Sequence, residues 1–181
     1  MSDAVATTAG QSESTEAPRY RSPFVILAHY VARAQIGERA ALSRMNPKDP
    51  MPHQLAALSR AAVAARLTPE RWSTASWHHW AVIAQGMALT GHAADALGEQ
   101  LARSGVAESR VTKLLTSRGD AFTQVLPRIL RYMASKGVAP NWTELGRLVL
   151  YEAAPKTEEL RLRIAGRYFS AKARAEAASK N

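Results

Sequence analysis

Apolar residues recur at three- and four-residue steps along most of this chain, and Gly and Pro punctuate the runs. Leu126, Ile129, Leu130 and Met133 show the pattern, and Leu145, Leu148 and Val149 repeat it. Such spacing gathers side chains on one face of a helix. It predicts helices near 23–36, 53–67, 76–90, 93–103, 107–117, 121–136, 141–153 and 157–177. Breaks are expected at Gly37, at NPKDPMP (46–52), at Ser104–Gly105, at Gly119, from Gly137 to Pro140, and at Pro155. No run of β-branched residues alternates convincingly, and no internal repeat stands out. The expected fold class is therefore all-α, a compact helical bundle or two packed sub-bundles. The matching division is a disordered N-terminal tail over 1–18, an N-terminal helical sub-bundle over 19–103 and a basic C-terminal one over 104–181. The tail, MSDAVATTAGQSESTEAP, is small and polar, with little to bury.

Charge changes this picture more than composition does. Hydrophobic residues make up 46% of the 181 residues, enough for a folded core. Lys plus Arg number 24 against 15 Asp plus Glu, a net of +9, and 18 of the 24 are Arg. Arg is the cation that pairs bidentately with phosphate. The excess is unevenly placed. Residues 72–102 hold no Lys or Arg, whereas 103–136 hold seven cations against Glu108 and Asp120. Residues 161–181 hold six against Glu176. Clustering of this kind suggests a polyanion-binding surface.

Projected at about 100° per residue, Arg110, Lys113 and Ser117 fall opposite Val111, Leu114 and Leu115. Arg118 lies nearer the apolar edge, at a helix C-terminus, where a cation suits the dipole. In the last helix Arg163, Arg167, Ser170 and Arg174 form one stripe beside Leu160, Ile164 and Tyr168. Small polar residues between arginines let such a stripe lie along a phosphate backbone. The plainer reading of either helix alone is a solvated face; two in one small protein favour polyanion binding. No zinc-finger spacing, RNP pattern or heptad zipper is present, so contact with backbone is expected instead of base readout.

Other chemistries find little support. Without cysteine there are no disulfides or thiolate sites, and a reducing cytoplasm is the expected setting. The run FVILAHYVARA is too short and too interrupted to span a bilayer, so no membrane association is expected. His78 and His79 in WSTASWHHW project about 100° apart on a helix and make poor joint metal ligands. Trp77, Trp80, Ala84 and Met87 read as core, and Trp142 as a packing anchor that opens a helix. No Gly-rich phosphate loop, HExxH, nucleophile elbow or nucleophilic cysteine occurs. Asp95 and Glu99, four apart, lack the partners a carboxylate catalyst needs. Neither an enzyme nor a cofactor is expected.

The order of segments resembles the CasB family, the small subunit of the type I-E CRISPR interference complex, Cascade. The resemblance runs from about residue 24 onward. It rests on GERAALSR (37–44), similar to an early basic turn of the family, and on LGEQLARSG (97–105) leading into ESRVTKLL (108–115). Leu126, Arg128 and Ile129, NWTELGRLVL (141–150) and RIAGRYF (163–169) continue it. Glu99 and Val111 stand where the family often carries basic residues, which thins the positive patch. The resemblance implies a non-catalytic subunit, present with a second copy of itself among other Cascade subunits, crRNA and both strands of target DNA. It marks Arg39 and Arg44 as an N-terminal basic pair, Arg110 and Lys113 as the central one, and Arg163 and Arg167 as the C-terminal one. Charge clustering alone adds Arg118, Arg128, Arg131 and Arg174. Two alternatives stay open: a free-standing helical DNA-binding protein of nucleoid or regulatory type, and an interaction module whose basic faces meet acidic proteins.

Overall fold

A computed structural model describes residues 22–180, so the expected N-terminal tail lies outside the described residues. Nine α-helices and no strand occur among them. In chain order they are α1 (Pro23–Arg33), α2 (Ile36–Ser43), α3 (Pro52–Ala64), α4 (Thr74–Thr90), α5 (Leu97–Arg103), α6 (Glu108–Thr116), α7 (Gly119–Ser135), α8 (Trp142–Leu150) and α9 (Pro155–Ala178). The local chemistry explains many of the ends. Pro opens α1, α3 and α9, where its missing N–H costs nothing. Ser73 Oγ caps α4 by accepting from Ser76 N–H, and Asn141 Oδ1 caps α8 by accepting from Thr143 and Glu144. Gly105 and Gly137 take the left-handed conformation after α5 and α7, which lets Val106 and Val138 donate back to Leu101 and Met133.

At the centre lies α4. Trp80 to Ala84 and Gly86 to Ala88 are all buried, and α1, α2, α3, α7 and α8 pack around it. A helix that is apolar on every side has to be enclosed, which accounts for the stretch without Lys or Arg. Trp142 is fully buried and its ring occupies the space a Cβ at Gly86 would need. Its indole N–H donates to Gly91 O at 2.9 Å. α5 lies along α9 so closely that a Cβ at Gly98 would meet the backbone of Ile164 and Tyr168. Buried residues from α1 through α9 form one cluster that runs past position 104.

Two expectations about boundaries are corrected. The break near Gly37 falls instead at Ala34 and Gln35, both extended, and Gly37 lies inside α2. GERAALSR is thus mostly helix, and only Arg44 caps its end. The helix expected from residue 93 begins at Leu97. Asn141 Nδ2 donates to Ala94 O and Asp95 O, and Gln100 Nε2 to Ala93 O, so these carbonyls are satisfied without a helix.

Candidate nucleic-acid interface

On α6, Val111, Leu114 and Leu115 face the core while Arg110 and Lys113 are exposed, as the projection expects. The helix packs on α7 and α9. From α7 rises Tyr132, whose hydroxyl donates to Gly105 O at 3.1 Å and so fixes the ring beside the α5–α6 turn. The Arg110 guanidinium and the Lys136 ammonium each lie 5.7 Å from the centre of that ring, within cation–π range. Lys136 had not been singled out from the sequence. Its signal was there, because Tyr132 and Lys136 are four apart and share a helix face. Arg128, also exposed, stands one turn before Tyr132. Arg110, Lys113, Arg128 and Lys136 have no carboxylate partner among the described residues.

The other candidates are distributed differently. Arg118 is held by Glu158 through two bonds of 2.7 and 2.9 Å, and its other terminal nitrogen donates to Leu115 O and Ser117 O at the end of α6. That is the dipole-compatible position expected of it, with both terminal nitrogens engaged. Glu158 also binds Arg161, a buried residue whose Nη1 reaches Glu152 O at 3.0 Å and whose Nε and Nη2 have no partner among the described residues. Hydrogen bonding from Arg118 is the first cause that holds the Glu158 carboxyl below its ordinary range; the charges of Arg161 and Arg118 add to it. On α9 the arginine stripe exists, but neighbours claim part of it. Arg167 meets Glu144 at 3.2 Å and Arg174 meets Glu99 at 3.3 Å, while Arg163 is exposed and unpaired among the described residues. Glu144 is the firmer anchor, since its other oxygen accepts from Leu97 N–H at the start of α5.

Arg39 and Arg44 stand on and just after α2, which packs on α3 and α4. Arg39 borders a small cavity with His29 and His92. Arg131 lines a cleft with Lys48 and His78. The ten sequence candidates therefore do not form one patch. The structure brings Arg110 and Lys136 together, draws Arg118 into an ionic junction, and sets Arg39, Arg44 and Arg131 elsewhere. His78 and His79 have ring centres 6.2 Å apart, and His78 Nδ1 donates to Pro47 O at 3.2 Å.

A basic protein, helical throughout its described residues and with cations unpaired among them on more than one face, is the class this geometry defines. Residues 38–169 match the family model for CRISPR-associated protein Cse2. The chain belongs to that family, the small subunit of the type I-E Cascade complex. Comparison with curated proteins and with solved structures gave no match. No helix among the described residues is long and apolar enough to cross a membrane.

Proposed function

We propose that this Cascade subunit is a non-catalytic clamp on nucleic-acid backbone, stabilising the crRNA–target heteroduplex and the displaced strand of the R-loop. The observation that carries the reading is the set of outward cations on α6 and α7, Arg110, Lys113, Arg128 and Lys136, which no carboxylate among the described residues answers. Tyr132 holds two of them in place, which lowers the entropy lost when they meet a phosphate. Arg163 extends the surface on α9, and Arg39, Arg44 and Arg131 give contacts on other faces. Exchange of a DNA duplex for an RNA–DNA heteroduplex is nearly balanced in free energy. A few phosphate contacts can then decide whether the R-loop persists. The same reading places the protein in the cytoplasm with a second copy of itself, other Cascade subunits, crRNA and target DNA.

The test is the lifetime of the R-loop on complexes assembled with the wild-type chain or with Arg110→Glu plus Lys113→Glu. Both residues are exposed, so the double variant should fold and assemble. A lifetime at least about tenfold shorter is expected, equivalent to about 1.4 kcal/mol. An unchanged lifetime in a folded, incorporated double variant would sink the assignment.

A further inference from the structure

Between the turn after α2 and the paired helices α4 and α7 lies a cleft of about 350 Å³. Its floor is apolar, built from Val82 and Leu89 of α4 and from Leu126, Pro127 and Leu130 of α7. Leu89 is 41% exposed there, an uncovered leucine beside otherwise buried neighbours. At the small end of the ~300–1,000 Å³ typical of ligand pockets, the volume suits a single planar group and not an extended chain.

Polar groups converge on that floor. Gln85 Nε2 donates to Met45 O at 2.6 Å, which fixes the amide and leaves its Oε1 as an acceptor. The His78 Nδ1 bond to Pro47 O fixes that ring and leaves Nε2 available. Pro127 lies inside α7 and has no N–H, so the carbonyl of Thr123, another cleft residue, lacks its helical donor. The rim is cationic, with Lys48 on one side and Arg131 on the other. Two acids adjoin the cleft: Glu152, which lines the neighbouring cavity with His78, Val82 and Thr123, and Asp120, 3.7 Å from Lys48 in a pair whose side chains are 69% and 87% exposed. Exposed pairs like this contribute little, so a phosphate can displace Asp120 at small cost.

We propose that this cleft takes one unstacked base of a single-stranded nucleic acid, with its flanking phosphates on Lys48 and Arg131. The apolar floor receives the face of the base, the His78 ring lies beside it, and the fixed amide and carbonyl meet its edge. A base inside a duplex has neither its face nor its pairing edge free, so the ligand is single-stranded. The cationic rim favours a phosphate-bearing ligand over an acidic-poor peptide. This inference rests on the backbone-binding reading above and adds a site that senses bases.

The test is binding of the full chain to two fluorescent single-stranded DNA 10-mers, one of thymidines and one abasic with the same phosphates. Stacking on an aromatic side chain contributes about 1–3 kcal/mol per base; an aliphatic floor with one imidazole beside it belongs at the low end, so the wild type should prefer the thymidine strand about five- to tenfold. Leu89→Lys removes apolar floor while adding a cation at the C-terminal end of α4, where the helix dipole accepts it. It should lose the preference and bind the abasic strand at least as well as before. Equal binding of both strands by the wild type would overturn the cleft and leave the backbone reading standing. So would a preference that survives Leu89→Lys, because the base would then be held elsewhere. If Leu89→Lys drops out of the assembled complex with its base preference intact, the cleft is a seat for a partner subunit and the proposal fails. Binding of neither strand would overturn the cleft and the backbone reading together.

Discussion

On α6, Arg110 and Lys113 project outward with no carboxylate among the described residues to meet them, whereas on α9 two of the three stripe arginines are tied to other helices. Both helices showed cations at helical spacing, and in projection the α9 stripe was the cleaner of the two. What separates them is the surface each leans on. α9 lies along α5 and touches α8, and those helices contribute Glu99 and Glu144. α6 lies against α7, whose C-terminal end brings Tyr132 and the following Lys136 beside Arg110. A cation's availability is thus decided by the neighbouring helix and not by its own.

The comparison breaks most completely if α9 is moved off its seat. A Cβ at Gly98 would collide with the backbone of Ile164 and Tyr168, which cannot rotate away as a side-chain end can. Gly98→Ala should cost about 3 kcal/mol, at the upper end of ordinary overpacking, read as a lower urea midpoint. Gly166, on the same helix, has open space around its Cβ position. Gly166→Ala should be neutral or slightly stabilising in the same experiment. Equal stability of the two variants would refute the close seating of α5 on α9.

Next in size is the salt dependence of nucleic-acid binding. Each phosphate contact contributes about 0.7–0.9 to the slope of log affinity against log salt. Arg110→Ala plus Lys113→Ala should therefore reduce the slope by about 1.4–1.8. Arg167→Ala plus Arg174→Ala should change it by well under half as much, because those charges already have partners. Equal losses would erase the distinction between the two helices. A smaller effect runs the other way. Glu99→Gln releases Arg174 from an exposed pair, and such pairs are worth at most about 1 kcal/mol. Affinity for single-stranded DNA should rise about two- to threefold, measured by fluorescence polarisation; no rise would show that Arg174 does not face the nucleic acid.

Much of the fold could be read from the sequence because it depends on local rules. Spacing placed the apolar faces of α6, α7 and α8 correctly, and Trp80, Ala84, Met87 and Trp142 are buried as expected. Trp77 is only partly buried, edge-on to Trp72 at 4.9 Å. The extra break between α1 and α2 was missed, since Ala34 and Gln35 carry no turn signal, whereas Gly37 carries a misleading one. At the candidate site the sequence revealed which faces were basic but not which cations were free. Glu158 is 40 positions from Arg118, and Glu99 is 75 from Arg174. Pairings at such separations come from tertiary packing and leave no periodic trace. Arg161 is the strongest case: by spacing it was one more cation in a basic segment, and the fold buries it.

The smallest effect sharpens the comparison through pH. The α9 side depends on a titratable group. Glu144, which holds Arg167, sits in the first turn of α8, and that turn begins where Trp142 N–H donates to His92 Nδ1 at 3.1 Å. That nitrogen must be unprotonated to accept. Burial is the main cause that lowers the pKa of His92, and His29 adds to it, while hydrogen bonding to the Pro140 backbone opposes it. A histidine depressed in the folded state binds its proton more readily when unfolded. Its stabilising contribution is therefore full above the ordinary histidine pKa of 6.5 and declines as pH falls through it. Half-buried His79 is lowered in the same direction, chiefly by desolvation and then by the charge of His78, and adds to the slope. The melting temperature should fall between pH 7.5 and 5.5, and the Trp142 amide should exchange faster with solvent. His92→Asn places a non-titrating acceptor where Nδ1 was, so it should flatten that fall without abolishing it. The same slope in wild type and His92→Asn would remove His92 from the account and leave the seating of α8, and with it Arg167, independent of pH in this range.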